Sequence, residues 1–402
     1  MSTVPELRQA KPASGGTTDA LRRGNLAAVL GLVHRMGALS RSQLTGLTGL
    51  NRSTVGDLVA ELVEAGLVEE SAPTGAAKAG RPSPIVRPAS GVAAIAVNPE
   101  VDAVIVGLVG LNARVLKRIR IETASARTVA EIVTLASAGI AGMLAGDSTI
   151  RVAGIGVAVP GQVRLADGMV REATHFGWAD EPLTAMLAET TGLPVWAANA
   201  AVLGMRAESA FGAGRDVADL VYMIGGASGI GGGVVSGGRL LTGAAGYAGE
   251  FGHTFVRSDG AACSCGSRGC LEAEVTQDAL LAAVGLASAD AASLADELVA
   301  TRDPVARRLV SRDYALLQIA VRNAVNVFNP STVVLGGFLA AIFRAATAQG
   351  EGDLLGSAVR SSREGVTVEE ARLGQDQLLI GAAELVFEGV IADPARAFGL
   401  GF

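Results

Sequence analysis

Gly246-Tyr247-Ala248-Gly249-Glu250-Phe251-Gly252-His253 and, ten residues beyond that histidine, Cys263-Ser264-Cys265-Gly266-Ser267-Arg268-Gly269-Cys270-Leu271-Glu272 form the stretch whose reading decides the fold. It holds all three cysteines of the chain and one of its three histidines. Three thiolates and an imidazole fill the four tetrahedral positions that Zn²⁺ prefers and leave none open to water. The spacing therefore predicts a structural zinc on His253, Cys263, Cys265 and Cys270. Gly266 and Gly269 supply the tight bends that bring the sulfurs onto one ion. A disulfide with a spare thiol fits less well, because the cysteine count is odd and no export signal is evident.

Outward from this stretch, the composition sets limits. A chain of 402 residues, half of them hydrophobic, predicts two or three domains with full-sized cores. Apolar runs such as Ala103 to Leu111 are cut by charges or glycines, so no membrane span is expected. Leu26 to Val33 is preceded by Asp19 and Asn25 and followed by no cleavage-like site, which makes the expected location cytoplasmic. Residues 1–90 carry ten Lys/Arg against seven Asp/Glu, and the remainder 23 against 32. A mildly basic head on an acidic body points to a polyanion partner for the head.

Residues 1–17 are poor in apolar groups and rich in Pro, Ser and Gly, the composition of a disordered tail. Residues 18–88 then read as a winged helix-turn-helix domain with its linker. A first helix runs through Leu26, Val29, Leu30 and Val33 to Gly37. A second starts at the capping box Ser40 to Gln43. A third is capped by Asn51 and places Val55, Leu58, Val59 and Leu62 on one face. The third helix would present Asn51, Arg52, Ser53 and Thr54 to base edges and phosphates in a major groove. Two short strands, 67–70 and 85–86, would flank a wing whose Arg81 suits a minor groove. Arg41, at the start of the second helix, joins this expected DNA-binding set. The partner implied is double-stranded operator DNA.

From Gly91 the texture changes to strands at 92–97, 101–109, 115–121 and 152–159 with a helix at 128–144. A similar order recurs: strands at 220–224, 232–235 and 239–241, long helices around 271–282 and 304–328, a strand at 332–335 and a final helix near 378–390. The repeat predicts an α/β protein with one lobe over 91–200 and a second over 201–402, the last helix packing back on the first, and a ligand cleft between them.

The quoted stretch, with its zinc loop at 253–270 and with Val333-Val334-Leu335-Gly336-Gly337, closely resembles the signature of the ROK family of repressors, open reading frames and sugar kinases. The resemblance runs from about residue 20 onward and includes the winged head of the repressor branch. It implies the two-lobed, actin-like (ribonuclease H-like) sugar kinase fold. It also implies that Glu250, His253 and Glu272 bind sugar hydroxyls, with zinc as support behind them. Carboxylates accept paired hydrogen bonds from vicinal hydroxyls, and a zinc-bound imidazole keeps one N–H free, so the chemistry is sound. Gly161, His175 and Asn199 complete the expected effector contacts.

The family's kinases carry an aspartate base in Asn-Asp-Ala-Asn, and the matching residues here are Asn199-Ala200-Ala201-Val202. Alanine accepts no proton. The first phosphate loop is matched by Asn98-Pro99-Glu100-Val101-Asp102, where a missing glycine and an added carboxylate oppose a triphosphate. Gly225 to Gly233 retains glycines that could cradle a phosphate. The expectation is a sugar-responsive regulator, a repressor, acting as a homodimer or homotetramer with no catalytic residue of its own. Its effector is expected to be a sugar or a sugar phosphate, because the alanine at 200 removes a repelling carboxylate. The alternative is an active kinase with an extra N-terminal domain.

Overall fold

A computed structural model describes residues 18–72, 83–123, 128–146 and 149–396. The expected tail 1–17 and the wing residue Arg81 lie outside the described residues. The head comprises α1 (Thr18–Met36), β1 (Leu39–Ser40), α2 (Arg41–Thr48), α3 (Arg52–Glu64), β2 (Val68–Ser71) and β3 (Ile85–Pro88), with strand order β1-β3-β2. The Ser40 hydroxyl and the Gln43 side chain close the reciprocal capping box on α2. The Asn51 side chain accepts the Thr54 N–H to start α3. These side chains satisfy backbone donors that the first helical turn leaves without partners.

The first lobe follows with β4 (Val92–Pro99), β5 (Ala103–Gly110), β6 (Arg114–Glu122), α4 (Val129–Leu144), β7 (Arg151–Val159), a small sheet of β8 (Gln162–Arg164), β9 (Met169–Ala173) and β10 (Trp178–Glu181), then α5 (Leu183–Thr191) and β11 (Val195–Asn199). The second lobe contains α6 (Ala200–Phe211), β12 (Leu220–Gly226), β13 (Gly229–Ser236), β14 (Arg239–Leu240), α7 (Leu271–Glu274), α8 (Gln277–Val284), α9 (Leu294–Ala300), α10 (Pro304–Phe328), β15 (Thr332–Gly336), α11 (Gly337–Gln349), α12 (Arg360–Arg363), β16 (Thr367–Glu370) and α13 (Gln377–Ala392). The main sheets have orders β6-β5-β4-β7-β11 and β14-β13-β12-β15-β16. Each is an antiparallel meander extended by two parallel strands, so one plan is used twice.

The chain passes from the first lobe to the second through α6 and returns through α13, which lies on β7 and β4 so closely that a Cβ on Gly156 would meet the Ala382 carbonyl at 1.8 Å. One helix expected over 271–282 is instead two, α7 and α8, broken at Val275-Thr276. The Thr276 hydroxyl accepts the Ala279 N–H and restarts the helix, a capping role that competes with helix continuation. Among the described residues no single helix is long and apolar enough to cross a membrane.

Candidate functional site

Residues 246–272 leave β14 as a loop, make a short 3₁₀ turn at Phe251–His253, and return into α7. Cys263 N–H donates to the Ser267 carbonyl at 2.8 Å, and isolated bridges join Phe255 to Cys270 and Ala262 to Arg268. Gly269 has φ +74°, and a Cβ there would lie 1.8 Å from the Arg257 carbonyl, so only glycine lets the loop close. The result brings His253, Cys263, Cys265 and Cys270 together with all ligand atoms within 4.8 Å of one another.

The spacing tests the donor set. The Cys265 and Cys270 sulfurs are 3.8 Å apart, and the Cys263 sulfur is 3.6 Å from His253 Nδ1. A tetrahedral ion with metal–sulfur bonds of about 2.3 Å and metal–nitrogen bonds of about 2.0 Å has edges of about 3.8 and 3.5 Å. The four residues therefore fit a four-coordinate metal ion. Ligation through Nδ1 leaves His253 Nε2 directed away from the metal, 4.0 Å from Glu250.

A cavity of about 200 Å³ lies between the lobes. Glu100, Gly161, Gln162, Glu172, Thr174, His175 and Asn199 line it from the first lobe, and Ser228, Gly229, Glu250, His253 and Glu272 from the second. All six residues expected as effector contacts are thus brought to one space. Glu272 is the focus: its Oε1 is 3.7 Å from His175 Nε2, 3.6 Å from His253 Nδ1 and 3.5 Å from the Cys263 sulfur. Burial works to push its carboxyl up, but the closeness of the His175 and His253 rings outweighs it and leaves Glu272 below the usual carboxylate range. Burial raises Glu250.

Asn199 is the N-cap of α6: its Oδ1 accepts the Val202 N–H at 3.1 Å and its Nδ2 donates to the Gly161 carbonyl at 2.9 Å. Both ends of the amide already have partners, a commitment invisible in the sequence. Ala200 and Ala201 follow, with bare methyl groups at the cavity wall.

At the other end of the cavity the equivalent hairpin turns of the two lobes meet. Ser228 donates to Glu100 Oε2 at 2.5 Å, Asn98 Nδ2 donates to Glu100 Oε1 at 3.1 Å, and the Val101 N–H donates to Ser228 at 3.2 Å. Glu100 is held above the usual carboxylate range by burial. The glycines expected as a phosphate cradle form an antiparallel hairpin with Gly226 opposite Gly229. Their backbones face a strand partner, so they make no open loop.

Gln162 and Glu172 were not anticipated. They stand opposite each other in the β8–β9 hairpin, whose signal was the Asp167-Gly168 turn between alternating residues. In the head, Arg52 and Ser53 are exposed at the start of α3. Asn51 is occupied as a cap, accepting from Thr54 N–H at 2.8 Å and the Ser53 hydroxyl at 2.6 Å. Arg41 is paired with both oxygens of Glu70 on β2, which ties it to the sheet.

The ROK family model matches residues 95–388. The chain is 29% identical over 341 residues to the xylose repressor of Caldicellulosiruptor bescii, covering 80% of this chain and 84% of that protein. A solved ROK family transcriptional regulator, described as a homolog of the E. coli MLC protein, superposes with a TM-score of 0.71 at 23% identity, covering 93% of this chain and 97% of that one. A ROK family glucokinase from Streptomyces griseus, solved with glucose and AMPPNP, gives a TM-score of 0.60 at 28% identity, covering 74% of this chain and 100% of that one. The actin-like two-lobed kinase fold implied by the sequence is the fold of this chain.

Proposed function

The chain belongs to the ROK family, and from that premise we propose that it is a sugar-responsive DNA-binding repressor whose cleft binds its effector without phosphorylating it. The observation that carries this reading is the asymmetry of the cavity: Glu250, His253 and Glu272, which would bind hydroxyls, line one wall, while alanine at 200 and 201 lines the part where a kinase would need a proton acceptor. Loss of a general base costs about 10²–10⁴ in rate. The Glu100–Ser228 contact closes the end of the cleft where the lobes' first turns would hold phosphates.

His253, Cys263, Cys265 and Cys270 would hold zinc as a structural ion. Zinc would fix the imidazole ring, so that Nε2–H can donate to a sugar hydroxyl whose own proton goes to Glu250 or Glu272. Among the described residues the cavity carboxylates are Glu100, Glu172, Glu250 and Glu272, and no lysine or arginine lines the space. That charge pattern favours an uncharged sugar over the sugar phosphate that the alanine at 200 would tolerate. The xylose repressor and glucokinase relatives make D-xylose and D-glucose the first probes. Arg52 and Ser53, with the amide dipoles at the start of α3, would contact operator DNA, two heads of an oligomer reading a two-fold site.

Calorimetry with D-xylose, D-glucose and their phosphates, alongside a coupled ATP-turnover assay, tests the reading. Heat with the free sugars, none with the phosphates and no turnover are expected. Robust turnover would establish the kinase alternative, with Glu172 or Glu100 as the first candidate base.

A further inference from the structure

His34 is the one histidine that the cavity does not use, and it is 2% exposed. It lies near the end of α1, in the head, yet its partners belong to the body. The backbone N–H of Asn112, in the β5–β6 turn, donates to Nδ1 at 3.1 Å, and Nε2 faces both oxygens of Glu384 on α13 at 3.1 Å. An N–H can only donate, so Nδ1 is the acceptor and the ring proton on Nε2 goes to Glu384. The ring stands edge-on to Phe211, the last residue of α6, at 5.4 Å, and is tilted against Phe387 of α13 at 5.5 Å.

These two helices are the two crossings between the lobes, and their near ends line the cavity through Ala200, Ala201 and Leu378. They touch at Gly381, where a Cβ would come within 2.2 Å of the Leu203 carbonyl. Beyond that contact they run on to His34, about 17 Å along the 12 residues of α6. Leu26, Leu30 and Val33 of α1 share one continuous apolar core with Val55, Leu58 and Leu62 of α3, with Ala200 and Leu203 of α6, and with Val386 and Phe387 of α13. A packed junction of this kind moves as discrete arrangements rather than bending smoothly.

We propose that His34 is the relay through which the head reads the angle between α6 and α13, and hence the closure of the lobes around a sugar. The proposal rests on the regulator reading above. A change in the α6–α13 angle displaces Phe211 relative to Phe387 and Glu384, and His34 must follow one helix or the other, carrying α1 and the core of α3 with it. His34 is a positioning residue: it touches neither sugar nor DNA.

The test uses the full chain and a DNA duplex selected by it from a random pool. Operator affinity is measured with and without D-xylose and D-glucose, and sugar affinity and melting temperature are recorded for each variant. Wild type is expected to show a sugar-dependent change in operator affinity of roughly 5- to 150-fold. His34→Leu and the isosteric Glu384→Gln should bring that ratio to within about twofold of unity while sugar affinity is retained. His34→Gln, which keeps a donor for Glu384, should recover part of it. A full sugar response in His34→Leu and Glu384→Gln would overturn the relay and leave the regulator reading standing. A parallel loss of sugar affinity would mark the junction as merely structural and also overturn the relay. A wild type that binds no DNA, or whose DNA affinity ignores both sugars, would overturn the regulator reading and the relay with it.

Discussion

The two lobes share one strand order, and they differ most at the turn where each lobe's first hairpin faces the cleft. In the first lobe that turn is Asn98-Pro99-Glu100-Val101-Asp102, and in the second it is Gly226-Ala227-Ser228-Gly229. One carries a part-buried acid and the other glycines, and the acid accepts a hydrogen bond from the serine hydroxyl across the cleft. The lobes differ again at the opposite end of the cavity, where the second supplies Glu250, His253 and Glu272 braced by the cysteine loop and the α6 crossing offers bare alanines. On the proposed reading, the groups that would bind hydroxyls and those that would serve phosphoryl transfer lie on different walls, so one wall can change while the other stays.

The sharpest way to break this comparison is to remove the brace. Cys270→Ser should abolish metal content, read by elemental analysis, and forfeit a large part of the about 10–16 kcal/mol that structural zinc contributes in small zinc-binding peptides. Sugar binding should disappear with it. A variant that lost the metal and kept its sugar affinity would show that the second-lobe wall stands unaided.

Glu272→Ala should weaken sugar binding by about 1.5–3 kcal/mol, a hydrogen bond to a charged group, without releasing the metal. Calorimetry and elemental analysis together separate it from the first variant. An unchanged affinity would move the hydroxyl-binding role elsewhere in the cavity.

Each lobe also holds an acid above its ordinary range. Asp313 on α10 has Arg312 Nε at 3.0 Å, yet neither carboxylate oxygen accepts a well-directed hydrogen bond, and burial pushes its carboxyl up to about 7. A folded-state value above the unfolded one means that the folded chain holds the proton longer. Stability is therefore lost as pH rises from about 4 through about 7. Asp313→Asn should flatten that slope in melting temperature against pH. Glu100→Gln should act in the same direction for the first lobe. A slope unchanged in Asp313→Asn would mean that the charge is accommodated by means other than the neutral form.

The smallest expected effect belongs to Ala200→Asp. Introducing a carboxylate alone should leave ATP turnover undetectable, because Glu100 and Ser228 still meet at the other end of the cavity. Turnover in that single variant would show that one missing acceptor separates the two activities.

What the sequence made legible was local. The His253, Cys263, Cys265 and Cys270 cluster spans 18 residues, and the caps at Ser40 and Asn51 lie three residues from the groups they satisfy. Those spacings are fixed by backbone geometry and can be read without a fold. The contacts that define the cleft's closed end and the head–body junction could not be read that way. Ser228 and Glu100 are 128 residues apart, and His34 and Glu384 are 350 apart. Only the meeting of the two lobes' hairpin turns and the return of α13 brings them together. The commitment of Asn199 to Gly161 was hidden for the same reason, and the α7–α8 break because a lone threonine with neither Gly nor Pro beside it carries only a weak stop signal.

The return of α13 has a further consequence for how the protein is made. The helix that covers the first lobe's sheet and supports α1 is the last of the described helices, so the head and first lobe emerge from the ribosome before the element that completes their shared core. The head must therefore wait until Gln377–Ala392 has been translated before it acquires its final support. A premature stop before residue 377 would strip that support from a head whose own sequence is intact.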